Sequence, residues 1–216
     1  MKIKTNEFTK SPQAKKLPEE IEINTQLAYV LGLWNADRSS TAKGIVGVRS
    51  KDNILLEIFR KFLLKLGLTP KERIVTGYGK TKEVYACSMP LRRIFEWLIE
   101  NRVKLFSNNP ELILAYLAGV IDGDGSFIRD KKKLILRIFY GKREIEEATK
   151  DKLLLRHLSI NPTITIPANK SRKVIILTVR NENFFFKVKN FIQLERKLSK
   201  ISGLARPTVV SFRATG

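Results

Sequence analysis

The sequence predicts an α+β fold built as a pseudo-twofold tandem repeat of two αββαββα units. Three observations carry this. The segment LAYVLGLWNAD at 27–37 returns as LAYLAGVIDGD at 114–124, with Leu, Ala, Tyr, Gly and the final Asp identical at an offset of 87. The order of features downstream of each copy repeats. Two β-rich stretches with a turn between them then lead to a closing helix in each unit. An internal repeat is sought before individual elements because it decides the whole architecture.

Residues 1–23 are polar and are expected to form an arm or a disordered tail. The first unit, 24–100, opens on the repeated segment, whose apolar residues run nearly all round, as on a helix buried on most faces. Val46 to Val48 form a short strand, Arg49-Ser50-Lys51 a polar step, and an amphipathic helix follows, ending at LGLTP. KERIVTGYGKTKEVYACS reads as two strands broken by a Gly turn. LRRIFEWLIEN, with apolar residues at helical spacing, closes the unit. The polar stretch NRVKLFSNNPE supplies a linker over 101–110.

The second unit, 111–200, repeats the order. Leu134 to Phe139 is the strand, Tyr140-Gly141-Lys142 the polar step, and the next helix ends at LSINP. TITIPANKSRKVIILTV gives two strands around an Asn/Lys turn, and NENFFFKVKNFIQLERKL a closing helix, before a tail at 201–216. Trp34 and Trp97 sit in apolar helical patterns and read as core, as do Phe184, Phe185 and Phe186.

The charge points to the partner. Against 21 acidic residues stand 41 Lys and Arg, for a net charge of +20 and a pI near 10.2. A surface of that kind neutralises phosphates and favours a nucleic acid; ribosomal packing or an anionic membrane surface would account for charge alone. The single Cys87 excludes an internal disulfide and a multi-cysteine zinc site, and the single His157 excludes a paired-histidine metal centre. The longest apolar run, Leu112 to Ile121, is far short of the roughly 20 residues that span a bilayer, and the N-terminus has no apolar signal core. A soluble, cytoplasmic protein with no membrane partner is expected.

The repeated segments carry the chemistry. Small residues recur at i, i+4 and i+8 in both: Ala28, Gly32 and Ala36, then Ala115, Gly119 and Gly123. Such a stripe lets two helix backbones approach closely, although a helical glycine costs roughly 1 kcal/mol against alanine. If the stripes face each other in parallel, the helix ends meet, and both end in aspartate, Asp37 and Asp124. Two carboxylates there oppose the helix dipoles and each other unless a proton or a cation intervenes. A hard divalent ion resolves both conflicts and suits phosphodiester hydrolysis. Mg²⁺ is the expected cofactor, with Mn²⁺ able to substitute, and the carbonyls of Ala36 and Gly123 are candidate further ligands. One isolated Asp after a helix is ordinarily a solvated turn residue; the duplication in a strongly basic chain favours the shared site.

The motifs GLWNAD and LAGVIDGDG resemble the two signature helices of LAGLIDADG homing endonucleases, of the single-chain, two-motif type. The resemblance covers about 24 to 200 through the repeat order, and its sharply specific part is the two motifs. It implies antiparallel sheets that form a DNA-binding saddle, with the motif helices at the central interface. It also implies a monomer acting as a pseudo-dimer, a metal-dependent endodeoxyribonuclease that makes a double-strand cut in a long duplex site. A free-standing enzyme of an archaeal intron is the subtype suggested. One essential acid per motif maps onto Asp37 and Asp124. The first copy departs from pattern, with Asn35 for the motif's first Asp and Arg38 for its final Gly, which bears on the turn into the first strand.

The family places basic or polar residues around the scissile phosphates, often where a strand meets the following helix. Lys51 and Lys142 hold equivalent junctions here, offset by 91, and are the catalytic candidates beside the aspartates; Arg38, Arg49 and Tyr140 neighbour them as DNA contacts. In the strand running from Ile128 to Phe139, Leu134, Leu136 and Ile138 take one face and Lys133, Ile135 and Arg137 the other. One apolar and one basic face suit packing on helices and a groove respectively. Arg129, Lys131, Arg172 and Arg180 extend that surface.

The same fold admits an intron maturase, with the intron RNA as partner, or a DNA-binding regulator; retention of both aspartates favours the nuclease. The ends MKIK and ATG lack the nucleophile and His-Asn chemistry of an intein. Asp122, Asp124 and Gly125 mimic the start of an EF-hand, but the position of its bidentate Glu is Lys133. Gly79-Lys80-Thr81 mimics a phosphate loop, but the required earlier Gly is Ile74, and a hairpin turn explains it better.

Overall fold

The computed structural model describes residues 1–10, 17–38, 44–76, 81–131, 133–167 and 174–203. Arg172, one of the expected DNA contacts, and the Gly79-Lys80 turn lie outside the described residues. The fold is α+β, with seven α-helices and antiparallel sheets among the described residues.

The N-terminal segment carries β1 (Lys2–Lys4), a 3-10 turn at Thr5–Phe8 and β2 (Glu20–Glu22), which pairs with β1. Ile3 and Ile21 are buried, so this segment is docked and not a free arm. The first unit runs α1 (Thr25–Asp37), β3 (Ile45–Ser50), α2 (Asn53–Lys65), β4 (Lys71–Val75), β5 (Thr81–Cys87) and α3 (Met89–Phe106). The second runs α4 (Pro110–Asp124), β6 (Gly125–Asp130), β7 (Lys133–Gly141), α5 (Ile145–His157), β8 (Thr163–Thr165), β9 (Val174–Val179), α6 (Glu182–Val188) and α7 (Glu195–Ser202). The sheet orders are β3-β5-β4 and β6-β7-β9-β8, so β3, β5 and β4 correspond to β7, β9 and β8.

Local chemistry explains the boundaries. Asn24 caps α1 by accepting from the Leu27 amide at 3.0 Å, and Asn109 caps α4 ahead of Pro110. Helix α2 buries Leu55, Leu56, Phe59, Phe62 and Leu63 along one face. It stops where Gly67 turns left-handed at φ 71°, letting the Leu68 amide bond the Leu63 carbonyl at 3.0 Å. Helix α5 stops the same way one unit later, with Ser159 at φ 60° and Ile160 bonded back to Leu155. The inner sheet faces, Val46, Val48, Val84 and Ala86 in one unit and Leu136, Ile138, Leu177 and Val179 in the other, are fully buried.

Four further features differ from the sequence reading. The 101–110 stretch is not a loop: α3 continues to Phe106, because Arg102 is buried with charged partners and the helix gains a packed face there. The closing helix of the second unit splits into α6 and α7. The strand read from Ile128 to Phe139 is two strands, reversed around Lys131, which is left-handed at φ 55°. Trp97 is 40% exposed, its ring set against Phe8 of the N-terminal segment and not in the core. Among the described residues, no helix is long and apolar enough to cross a membrane.

Candidate active site

The centre of the molecule is the seam between α1 and α4. A Cβ on Gly32 would strike the Tyr116 carbonyl, and one on Gly119 the Tyr29 carbonyl, so the two backbones touch at symmetric points. Only glycine permits that approach. The seam is parallel: Gly123 meets Ala36 at its C-terminal end, and a Cβ on Gly123 would sit 3.3 Å from Asp37 Oδ2. The stripe thus brings together Ala36, Asp37, Gly123 and Asp124, the four residues expected from the repeat.

Both carboxylates are held above their usual range. Burial pushes Asp37 up to about 6, with Asp52 adding repulsion and Lys197 opposing it. Burial pushes Asp124 up to about 7, reinforced by the charges of Asp37 and Glu144 and again opposed by Lys197. The pair is an only partly compensated acidic centre in a basic protein.

Lys197, on α7, is the cation of this centre, and sequence reasoning missed it. Its ammonium donates to the carbonyls of Ile121 and Asp122 at the end of α4. Burial brings it down to about 8, with neighbouring Arg196 adding to the fall and Asp122, Asp37 and Asp124 resisting it. In the segment ERKLSKIS nothing separates it from a solvated lysine. Its neighbour Arg196 bridges the units by pairing with Asp52 at 2.9 Å.

Two residues before the aspartates, each motif is clasped by the tyrosine of the other. Tyr29 donates to Asp122 Oδ2 at 2.7 Å, and Asn35 donates to the Tyr116 hydroxyl at 3.1 Å. Asp122 also accepts from the Gln193 amide, and burial raises its pKa. The departure at Asn35 now has a reason. Tyr116 gives its single proton to Asp151 Oδ1 at 3.1 Å, so its partner at 35 must be a donor, which an amide is and a carboxylate is not. Asp151 is held by Arg102 at 2.9 Å, and Arg102 also pairs with Glu147 at 2.8 Å. A cavity with room for about one water, lined by Asn35, Ala36, Val120, Asp124, Tyr140, Glu144 and Glu147, joins this network to the Asp124 side.

The remaining candidates divide. Lys51 and Lys142 are exposed at the β3–α2 and β7–α5 junctions. Arg38 caps α1 with its guanidinium 5.8 Å from the Trp34 ring centroid, and among the described residues its bridge to Val48 stands at the place β6 takes in the second unit. Arg49, Lys133 and Arg137 lie on the outer sheet faces, opposite Glu83, Asp130 and Thr178 in register. Lys131 in the β6–β7 turn and Arg180 after β9 are exposed. Two expectations are corrected. Tyr140 is buried and donates to Asp151 Oδ2 at 2.8 Å, so it belongs to the interior network. Arg129 pairs opposite Leu134, on the helix side of the sheet, and donates to the Gly203 carbonyl at 3.2 Å; it does not extend the outer face. The outer face around Ile135 is also less basic than alternation suggested, since Ile128, Phe139 and Ile176 share it.

Comparison with known proteins adds the frame. Residues 111–191 match the family described as LAGLIDADG-like domain. The DNA-directed RNA polymerase subunit Rpo1C of Methanocaldococcus jannaschii is 25% identical over 206 residues, covering 92% of this chain and 23% of that protein; the chain thus spans about a quarter of that relative. I-DmoI in complex with DNA and Mn superposes with a TM-score of 0.58 at 22% identity, covering 81% of this chain and 99% of I-DmoI. I-DmoI has also been solved with DNA and Ca, and is described as a homing endonuclease. The N-terminal LAGLIDADG domain of DUF199/WhiA superposes at 0.56 with 15% identity, covering 90% and 92%. The fold of this chain is the I-DmoI-like LAGLIDADG fold.

Proposed function

We propose that this chain, which has the LAGLIDADG fold, is a site-specific double-strand DNA endonuclease that works as a monomeric pseudo-dimer of units 24–100 and 111–200. The observation that carries the reading is the acidic pair at the parallel ends of α1 and α4, with both pKa values raised, in a chain of net charge +20.

The donor set fits a divalent metal. Among the described residues no group of three or more His, Cys, Asp or Glu forms a self-sufficient metal cage. Two aspartates alone suit Mg²⁺, which keeps several waters and takes a carboxylate or two plus phosphate oxygens. Asp37 and Asp124 would hold the ion, with the carbonyls of Ala36 and Gly123 as added ligands. Bound there, it would lower the pKa of water and stabilise the leaving oxygen of a phosphodiester. Lys197, buried against the carbonyls that end α4, keeps the metal-free pair from full mutual repulsion. Lys51 and Lys142, one at each junction, would neutralise the two strands.

The test is incubation of a plasmid carrying the intron-minus host locus with wild type and with Asp124→Asn, with and without Mg²⁺. Metal-dependent linearisation by wild type alone is expected. Every DNA left uncut, together with tight binding of the intron RNA, would replace the nuclease reading with that of a splicing cofactor.

A further inference from the structure

The two sheets are related by the pseudo-twofold axis, yet their outer faces differ in chemistry. Glu83 and Ile176 occupy the same place, five residues before the helix caps Ser88 and Asn181. In the first sheet Glu83 stands in the cross-strand row Arg49–Glu83–Arg73. In the second, the equivalent row is Phe139–Ile176–Thr165. Neither row faces the helical core, because the flanking positions Val48, Val84, Ile138 and Leu177 do that.

In the charged row the carboxylate is enclosed. Glu83 is 0% exposed, with Arg73 Nε 2.6 Å and Arg49 Nε 3.5 Å from its Oε2, while the two arginine side chains remain 39% and 29% exposed. Arg73 is further fixed by the Tyr85 ring, 5.0 Å from its guanidinium carbon. A carboxylate so enclosed cannot itself reach a base; its effect is to orient two guanidiniums on an outward face. In the neutral row Phe139 and Ile176 are half-buried and Thr165 is exposed, an apolar strip on the face opposite the core-facing Ile138 and Leu177.

We infer, on the reading of this protein as a DNA endonuclease, that the two sheets select chemically different half-sites: guanine facing Arg49 and Arg73, and thymine facing Phe139, Ile176 and Thr165. A duplex that reaches Asp37 and Asp124 extends over both sheets, because Arg38 bridges β3 directly after Asp37 and β6 begins directly after Asp124. In the major groove, guanidinium to the O6 and N7 edge of guanine is the commonest specific pairing, and thymine's 5-methyl group is what Phe or the Thr methyl contacts. Glu83 is a positioning residue for the first half-site, and the strip gives the second half-site a preference that needs no charge.

The experiment selects bound duplexes from a randomised pool with the wild-type chain in EDTA, so that they stay whole. The expected motif is asymmetric, guanine in one half and thymine in the other. On the recovered site, deoxyuridine for thymidine, which removes only the methyl group, should weaken binding several-fold in one half, and 7-deazaguanine should do so in the other. Glu83→Gln should flatten a guanine preference of about 10-fold in its own half and leave the thymine half unchanged. Deoxyuridine tolerated throughout, or a guanine preference untouched by Glu83→Gln, overturns the inference while leaving the endonuclease reading intact. A wild type that enriches no sequence at all overturns that reading, and the inference with it. The base-analogue arm uses unaltered protein, so a misfolded variant cannot mimic either result.

Discussion

Replacing Asp124 with Asn should end catalysis and, in the absence of metal, make the protein more stable. The carboxyl is raised from 3.8 to about 7 by burial and by the charges of Asp37 and Glu144. A shift of that size corresponds to about 4 kcal/mol held against the ionised form at neutral pH. Asp124 is partly open to solvent at the helix end, and Asn keeps the shape, so about 1–3 kcal/mol of gain is expected. The sign follows from proton counting. Between about pH 4 and 7 the folded wild type holds a proton that the unfolded chain has lost, so its stability falls as pH rises through that window. The Asn variant has no such fall at this position. Urea denaturation in EDTA should show the two proteins nearly equal at pH 4 and the variant ahead at pH 8. Adding Mg²⁺ at pH 8 should raise the wild type and leave the variant nearly still. A variant less stable at pH 8, or a gain independent of pH, would refute the account of a buried, mutually repelling carboxylate pair.

Other perturbations test the seam and its surroundings. Gly119→Ala places a methyl group on the Tyr29 carbonyl and the Leu33 amide and should cost about 3 kcal/mol or more in urea denaturation, since backbone cannot step aside. Asn35→Asp restores the family letter but sets a carboxylate against Tyr116 and Glu147; a loss of about 1–3 kcal/mol, larger at pH 8 than at pH 4, should appear in the same assay. Arg102→Met leaves Asp151 buried without its cation and should cost about 3–5 kcal/mol, measured by thermal and chemical unfolding. Lys197→Met removes the charge that restrains both aspartates, so the acid limb of the cleavage pH profile should move to higher pH.

The fold was legible because its signal is repeated. Two copies of a small-residue stripe ending in Asp specify a seam, a direction and a shared acidic end without any coordinates. Short-range chemistry was legible too, as at LGLTP and LSINP. What escaped depends on contacts far apart in sequence. Lys197 reaches the end of α4 across more than seventy residues, and Arg102 is buried only because Asp151 and Glu147 come to meet it. Alternation marked the outward faces correctly for Arg137 and Lys133 but gave no sign that Arg129 lies beyond a reversal, which puts it on the helix side. Tyr140 was misread for the same reason: its partner, Asp151, sits on another element.

The crossed tyrosine contacts bear on which pieces of this chain would recognise each other if separated. Two copies of the second unit would set Asp122 of one against Tyr116 of the other, a hydroxyl whose only hydrogen is already committed to Asp151. Three electronegative groups would then compete for one hydrogen at each of two symmetric points. In the natural pairing Tyr29 meets Asp122 and Asn35 meets Tyr116, a donor set against an acceptor at each point. Self-association of the second unit is thereby penalised and union with the first is rewarded. The Asp-to-Asn difference at this one position acts as a mating type, written two residues before those that carry the acid.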